Sequence, residues 1–191
     1  MMPTFRTSQG FSALDPSIPH LILIGLPGSG KSVVGMRATE MLTRAFLDFD
    51  AEIERREGMP ITSIFAEKGE HYFRGRERAL TEELRETGGM ILAPGGGWVT
   101  IPDVVSLLRP PGVLVYLKVR PETALRRTGR RQSLRPLLAK ADPRGEIQRL
   151  FDARRLLYEG ADEVIDTETM SLQQVTESFV ALAERRWAQG E

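Results

Sequence analysis

The sequence lacks cysteine, and it has only two histidines, His20 and His71, which lie far apart along the chain. Disulfide bonds and thiolate catalysis are therefore excluded, and the histidines do not have the spacing of a metal site. No apolar stretch approaches the roughly 18 residues that a membrane-spanning helix requires. Residues 1–18 also lack the apolar centre of a signal peptide. We therefore expect a flexible tail at residues 1–18 and a protein that works in the cytoplasm.

An excess of charge of either sign is also missing, because 26 basic side chains balance 26 acidic ones. A neutral chain has no general attraction for nucleic acid or for an anionic membrane, so we expect its partners to be small molecules. No apolar stripe is obvious outside the predicted core, which favours a monomer. Locally, residues 126–155 are rich in arginine. We interpret them either as a solvated face or as a surface that meets a polyanion.

What the sequence does contain is a regular alternation of apolar runs and helical patterns. Its 191 residues, of which 41% are hydrophobic, suffice for a single domain, which we place at residues 19–191. Apolar strands separated by helices predict an α/β fold, a three-layer sandwich with a five-stranded parallel sheet in the middle. The predicted strands are residues 20–25, 44–50, 90–93, 113–119 and 163–167.

The helical patterns fall between these strands. Thr100 is predicted to cap the helix that follows it, and Ser171 with Gln174 forms a capping box at the last helix. Ligands of such sheets bind at the carboxyl ends of the strands, so residues directly after strands are the candidates for function. The predicted helices are residues 31–42, 51–57, 60–67, 70–86, 101–109, 121–128, 143–159 and a last one from Ser171, with an irregular loop at 129–142.

The first predicted strand is followed by GLPGSGKS at residues 25–32. Gly25, Gly30, Lys31 and Ser32 fit the pattern G-x-x-x-x-G-K-[ST], the phosphate-binding P-loop. Its glycines let backbone N–H groups and the positive end of the next helix surround a phosphate chain. Lys31 is predicted to bind the β- and γ-phosphates and Ser32 to bind Mg²⁺. The motif indicates a nucleotide but does not identify the reaction.

Two carboxylates follow the second predicted strand, at Asp48 and Asp50. One of them is expected to serve Mg²⁺, through water, and the other to accept a proton from an attacking hydroxyl group. The alternative is that either residue caps a helix, above all Asp50, which precedes a helical pattern.

Further along, arginines and glycines recur at positions where a ligand is expected. Residues 69–77, GEHYFRGRE, carry Arg74 and Arg76, and residues 93–100, APGGGWVT, place three glycines after the third strand. No ordinary turn needs three glycines, but a backbone that lies close to a ligand does. The segments RRTGRRQSLRPLL and RRLLY then occupy residues 126–138 and 154–158.

Taken in order, these motifs resemble those of shikimate kinases over residues 20–187. Another P-loop protein would share the first motif and little else. The resemblance implies a P-loop fold like that of nucleoside-monophosphate kinases, with substrate-binding helices at about residues 50–86 and a lid at about residues 129–142. It also implies ATP-dependent phosphorylation of the 3-hydroxyl of shikimate, with Mg²⁺. The motifs are GLPGSGKS, FLDFDAEIE, ITSIFAEKGEHYFRGRE, GGG, RRTG, LRPLL and RRLLY.

The resemblance also implies roles for single residues. On the nucleotide side, Ser32 and Asp48 serve the metal, Arg127 stacks on adenine, and Arg135 closes over the phosphates. Lys31, Asp50 and Arg135 form the catalytic set. The ATP-binding residues implied are Gly28, Ser29, Gly30, Lys31, Ser32, Val33, Arg127 and Arg135.

On the acceptor side, Asp50 contacts the shikimate hydroxyl groups. Arg74 and Arg154 bind the carboxylate, for which the bidentate geometry of arginine is suited. Arg155 is a rival for the role of Arg154. Gly95, Gly96 and Gly97 match the glycine loop beside the substrate.

Three residues depart from the family pattern, and we expect them to affect the shape of the pocket. Leu156 stands where relatives commonly have proline, Pro94 where they often have a small polar residue, and Trp98 is bulky for its position.

Two other functions fit part of these motifs. A ligand-sensing domain without turnover would have lost catalytic residues, yet the whole set is present. A kinase of another hydroxylated carboxylate, such as gluconate, would also suit Asp50, Arg74 and Arg154, but the gluconate kinase pattern does not follow Asp50.

Overall fold

The computed structural model describes residues 15–128 and 142–188, in which five strands form one parallel sheet. The strands are β1 (Leu21–Ile24), β2 (Phe46–Asp48), β3 (Ile91–Ala93), β4 (Val113–Lys118) and β5 (Glu163–Asp166). Their order across the sheet is β2-β3-β1-β4-β5, and every neighbouring pair is parallel. The predicted five-stranded parallel sheet is thus confirmed, with β2 shorter than the predicted residues 44–50.

Seven α-helices and one 3₁₀ helix surround the sheet in the described part of the chain. None of these helices is long and apolar enough to cross a lipid bilayer. The α-helices are α1 (Lys31–Leu42), α2 (Phe49–Glu57), α3 (Ile61–Leu84), α4 (Val104–Leu108), α5 (Pro121–Thr128), α6 (Pro143–Glu159) and α7 (Leu172–Ala188), and the 3₁₀ helix is Trp98–Thr100.

Two apolar clusters fill the two faces of the sheet, because successive side chains of a strand point in opposite directions. On β1, Leu21 and Leu23 contribute to one cluster, with α1 and α7. Ile22 and Ile24 contribute to the other, with α2 to α6. The predicted three-layer arrangement is therefore confirmed, and the carboxyl ends of β1, β2 and β3 open toward one edge of the sheet.

Helix α3 is interrupted at Gly69, whose backbone has φ 82 and ψ 167. This φ lies in the region that only glycine adopts without strain. The two helices predicted at residues 60–67 and 70–86 are therefore found as two helical stretches that meet at Gly69. The second stretch begins at Glu70, directly in front of the sequence FRGRE.

The prediction that Thr100 caps a helix at residues 101–109 is wrong. Helix α4 begins only at Val104, and Asp103 precedes it with φ 58. The reason is the indole of Trp98, which is fully buried and donates from Nε1 to Thr81 Oγ1 at 2.9 Å. This contact draws the chain into a 3₁₀ turn, where the Thr100 hydroxyl donates to Gly97 O at 2.7 Å instead of capping.

The capping box at the last helix is confirmed. The backbone N–H of Gln174 donates to Ser171 Oγ at 3.3 Å, and the backbone N–H of Ser171 donates to Gln174 Oε1 at 2.8 Å. These two bonds fix the start of α7 close to the loop that follows β5.

Candidate active site

The P-loop connects β1 to α1 and ends in a helix terminus without a side-chain cap. Gly30 precedes α1 with φ 103 and ψ 6, and the first helical bond runs from Val34 N to Gly30 O at 2.9 Å. The N–H groups before Val34 therefore have no partner within the helix, and they lie at its positive end. Gly28 must be glycine, because its φ is 87 and a Cβ there would lie 2.2 Å from Ala124 O. This geometry suits an anion such as a phosphate group.

The Lys31 side chain lies inside this loop. It is buried, and Nζ donates to the carbonyl oxygens of Gly25 at 2.9 Å and Leu26 at 3.2 Å. Ser29 is buried beside it, and its hydroxyl oxygen has no hydrogen-bond partner. A buried hydroxyl without a partner is costly, so the loop is built for a ligand that supplies one.

A cavity of about 360 Å³ opens in front of the P-loop. It brings together residues that the sequence places after β1, β2 and β3 and at the end of α5, as expected for the carboxyl edge of a parallel sheet. Its apolar side is formed by the start of α1 and by residues around the start of α7. The lining includes Gly28, Ser29, Gly30, Lys31, Ser32, Val33, Asp48, Asp50, Pro94, Gly95, Gly96, Arg127, Thr167, Met170 and Leu172.

Both aspartates face this cavity, but they occupy different positions on α2. Asp48 is the N-cap, and its Oδ1 accepts from Ala51 N at 3.2 Å. Asp50 lies within the first turn of the helix. The alternative that Asp50 is a helix cap is therefore wrong, since Asp48 fills that place and leaves Asp50 to face the pocket.

Ser32 and Asp48 fit a magnesium ion by their chemistry, because both offer oxygen and both line the cavity. Within residues 15–128 and 142–188 no group of three or more acidic, histidine or cysteine side chains forms a metal cage. Magnesium does not need one, since it keeps several waters and takes one or two protein ligands beside the substrate phosphates.

Next to the cavity, Arg74 is held by two carboxylates of its own helix. Nη1 donates to Glu77 Oε2 at 2.5 Å, and Nη2 donates to Glu70 Oε1 at 2.9 Å. The guanidinium also lies 5.5 Å from the centre of the Phe73 ring, which itself packs on Phe65. The arginine is therefore fixed from below by an aromatic pair and from the side by charge.

Glu77 is fully buried, and its environment changes its titration. Burial raises the pKa of Glu77 to about 7, although the charge of Arg74 acts in the opposite direction. The nearby charge of Asp50 raises it further. Glu77 and Asp50 thus lie close together, and a buried carboxyl group with a shifted pKa is typical of a functional site.

The three glycines after β3 form the wall between this arginine and the P-loop cavity. A Cβ on Gly95 would lie 2.6 Å from Glu77 Oε1 and 3.1 Å from Asp50 Oδ1. A Cβ on Gly97 would lie 2.3 Å from Arg74 Nη2. Functional side chains therefore lie against this backbone, and no larger residue fits there without moving them.

Helix α6 supplies a second arginine to the same wall. Arg154 is buried, and its Nη1 has no hydrogen-bond partner. Tyr158, one turn further on, donates to Gly96 O at 2.6 Å. Burial raises the pKa of the Tyr158 hydroxyl, while the charges of Arg154 and Arg74 lower it, so both guanidinium groups lie around this tyrosine.

Arg155 lies on the other side of α6. Its side chain is 54% exposed and pairs weakly with Glu159 at 4.0 Å. The geometry thus favours Arg154 over its neighbour as a carboxylate ligand. Two of the departures from the family pattern also leave the pocket unchanged, since Trp98 is buried in the core and Leu156 is 75% exposed. Pro94 does line the cavity.

Arg127 lies at the far side of the cavity from Asp50. Nη1 donates to Thr167 Oγ1 at 2.9 Å and Nη2 to Thr167 O at 2.6 Å. It is thereby tied to the loop after β5, whose residues line the apolar side. Arg135 and the predicted lid at residues 129–142 fall outside the described residues except for Asp142, and their roles stay predictions.

Three residues of this site were not recognised in the sequence: Glu70, Glu77 and Tyr158. Each had a signal in its helical spacing. Glu70 and Glu77 lie four residues before and three after Arg74, and Tyr158 lies four after Arg154, so each shares a helix face with an arginine.

Comparisons with known proteins agree on one family. The profile described as "Shikimate kinase" matches residues 27–184. A shikimate kinase of Thioalkalivibrio sulfidiphilus is 43% identical over 161 residues, which cover 84% of this chain and 84% of the relative. One of Pelotomaculum thermopropionicum is 38% identical, covering 84% of this chain and 93% of the relative. Among solved structures, the shikimate kinase of Acinetobacter baumannii in complex with shikimate has a TM-score of 0.82 and 36% identity, covering 88% of this chain and 94% of that one.

Proposed function

The chain belongs to the shikimate kinase family and phosphorylates shikimate with ATP, and we propose that the acceptor is the 3-hydroxyl group and that the residues gathered above carry out the transfer. One observation supports this assignment most. A pair of buried arginines, Arg74 and Arg154, lies against the glycine wall whose other side lines the P-loop cavity. That arrangement suits an acceptor with a carboxylate, held beside a nucleotide.

The acceptor is positioned by its carboxylate. The Nη1 of Arg154, which has no partner, and the guanidinium of Arg74 bind this group, as arginines bind carboxylates with two parallel bonds. The ring of shikimate then lies along Gly95 to Gly97, and its hydroxyl groups reach Asp50. The carboxylate is thus the handle that brings the reacting oxygen to the cavity.

Asp50 accepts the proton of the acceptor hydroxyl as that oxygen attacks the γ-phosphorus of ATP. The new O–P bond forms while the bond from the γ-phosphorus to the β,γ-bridging oxygen breaks, and ADP leaves with that electron pair. Lys31 and the N–H groups at the start of α1 bind the phosphate oxygens on which charge develops. Arg135 is proposed to add a further charge there, as the resemblance implies.

ATP-using kinases need a divalent metal, and we propose Mg²⁺, held by Ser32 directly and by Asp48 through water. When bound, the ion neutralises phosphate charge and orients the phosphate chain. Arg127 and the apolar residues around Met170 would hold the adenine. We further propose a monomer that works in the cytoplasm, where ATP is supplied.

The proposal is tested by ADP release from the purified chain with ATP and Mg²⁺, comparing shikimate, quinate, gluconate and no acceptor. Strong stimulation by shikimate alone supports both reaction and acceptor. Stimulation by gluconate instead would reassign the acceptor. Binding of ATP without stimulation by any acceptor would favour a sensing domain over an enzyme.

A further inference from the structure

Arg74 already binds a carboxylate in the absence of any substrate, and that carboxylate belongs to an exposed residue. Glu70 Oε1 accepts from Nη2 at 2.9 Å and from Nε at 3.3 Å. The two N–H groups define one edge of the guanidinium, which is the edge best suited to bind a carboxylate. We propose that Glu70 is a built-in competitor, which occupies this edge in the empty enzyme and is displaced by the carboxylate of the acceptor. The proposal rests on the assignment of Arg74 as a carboxylate ligand.

The two partners of Arg74 differ in how firmly they are held. Glu77 is fully buried beneath the arginine, where loss of its partner would leave an uncompensated charge. The Glu70 side chain is 49% exposed and loses little when it returns to water. Glu77 therefore stays in place and fixes Arg74, whereas Glu70 can be exchanged for another carboxylate.

The position of Glu70 favours such an exchange. It is the first residue after the break at Gly69, so the regular helical turn that would otherwise pack around it is absent on its N-terminal side. A Cβ at Gly69 would meet nothing within 4 Å, which shows that this side of the helix is open. The Glu70 side chain thus has room to leave Arg74.

A second cation is within electrostatic reach of Glu70. Arg149 on α6 pairs with Glu146, which is the main reason that its pKa is raised, and the charge of Glu70 raises this pKa further. The Arg149 side chain is 62% exposed. When the acceptor takes Arg74, Arg149 therefore offers Glu70 an alternative partner on the neighbouring helix.

The test is the variant Glu70→Gln, which keeps the size of the side chain and removes its charge. We expect the KM and the dissociation constant for shikimate to fall about two- to fivefold, the range in which partly exposed ion pairs contribute. The KM for ATP should not follow. An unchanged or raised KM for shikimate would overturn the proposal, since Glu70 would then orient Arg74 rather than compete for it.

The chain offers a matched control on the same helix. Glu82 pairs with Arg78 at a spacing of four residues and is also 49% exposed. Glu82→Gln removes the same charge from a similar pair away from the pocket, and it should leave both constants for shikimate unchanged. An equal effect of the two substitutions would indicate a general change in surface charge and refute displacement.

Glu70→Asp separates direct contact from long-range repulsion. The side chain keeps its charge but is one methylene shorter, so it no longer reaches the edge of Arg74. A fall in KM like that of Glu70→Gln supports competition by contact, and a KM like that of the unaltered chain would refute it. If the unaltered chain neither binds nor phosphorylates shikimate, the proposed function fails as well, and that result is distinct from both.

Discussion

Asp50 is the side chain that the proposed chemistry depends on most directly. It faces the P-loop cavity and lies 3.1 Å from the place that a Cβ on Gly95 would occupy. Asp50→Asn keeps the shape of the side chain but removes its capacity to accept a proton. We expect kcat to fall by about a hundredfold or more, with little change in the KM for ATP. Steady-state kinetics measure both, and the exposed Glu86→Gln serves as a control for loss of negative charge.

Glu77 predicts a dependence of stability on pH. Because its pKa is raised to about 7, the folded chain holds a proton between pH 4.5 and 7 that the unfolded chain has released. Its contribution to stability is therefore present below pH 4.5 and is lost as the pH rises through 7. Glu77→Gln should remove this slope.

The measurement is urea unfolding of both chains at pH 5, 6, 7 and 8. The difference in free energy of unfolding between the variant and the unaltered chain should shift in favour of the variant as the pH rises. A difference that does not depend on pH would mean that Glu77 is ionised throughout this range.

At the scale of a residue, sequence reasoning found the side chains that belong to motifs and missed those that act through them. Lys31, Asp50, Arg74 and the three glycines stand in recognisable patterns. Glu77 does not, because a glutamate three residues after an arginine is common on any exposed helix. Only the packing shows that it is fully buried and therefore different from Glu82.

At the scale of an element, the glycine wall predicts how the site tolerates a single methyl group. A Cβ on Gly97 would lie 2.3 Å from Arg74 Nη2 and 2.6 Å from its Cζ. The far end of a flexible side chain can move, so Gly97→Ala should fold but displace the guanidinium. We expect the KM for shikimate to rise about tenfold or more, the cost of a charged hydrogen bond, with little change in the KM for ATP.

The control for that experiment is Gly75→Ala on α3. A Cβ at Gly75 would meet nothing within 4 Å, and alanine favours the helix over glycine by about 0.5–1 kcal/mol. Gly75→Ala should leave the KM for shikimate unchanged and raise the melting temperature slightly. If Gly97→Ala behaves in the same way, the guanidinium does not bind the acceptor at that wall.

Elements were predictable where local pattern and tertiary packing agree. β1 and β4 are apolar along almost their whole length, and the box at Ser171 and Gln174 is a local motif, so both followed from the sequence. The chain around Trp98 did not, because a contact with Thr81 on a distant helix decides it. No local rule contains that contact.

At the scale of the whole molecule, His20 links stability to pH with the opposite sign to Glu77. It joins the start of β1 to the end of α3 and to β3, since Nε2 lies 3.2 Å from Leu84 O and Nδ1 accepts from Met90 N at 3.2 Å. Burial lowers the pKa of His20 below its ordinary value of 6.5. The neutral ring is therefore required, and the stability it contributes is present above pH 6.5 and is lost as the pH falls through the folded pKa.

His20→Asn keeps an acceptor near the position of Nδ1 and removes the titration. We expect the variant to lose less stability than the unaltered chain when the pH falls from 7 to 5, as measured by urea unfolding. His71 is exposed on α3, and His71→Asn should leave this slope as it is. Equal slopes for the unaltered chain and for His20→Asn would show that His20 is not the titrating group.

The division of labour between the two faces of the sheet has a consequence for protein engineering. The residues proposed to hold the acceptor carboxylate, Arg74 and Arg154, both lie on α3 and α6, on one face. The P-loop leads into α1 and the loop after β5 leads into α7, both on the opposite face. A library confined to α3 and α6 can therefore be screened for new hydroxy acids while the phosphoryl donor site keeps its own scaffold.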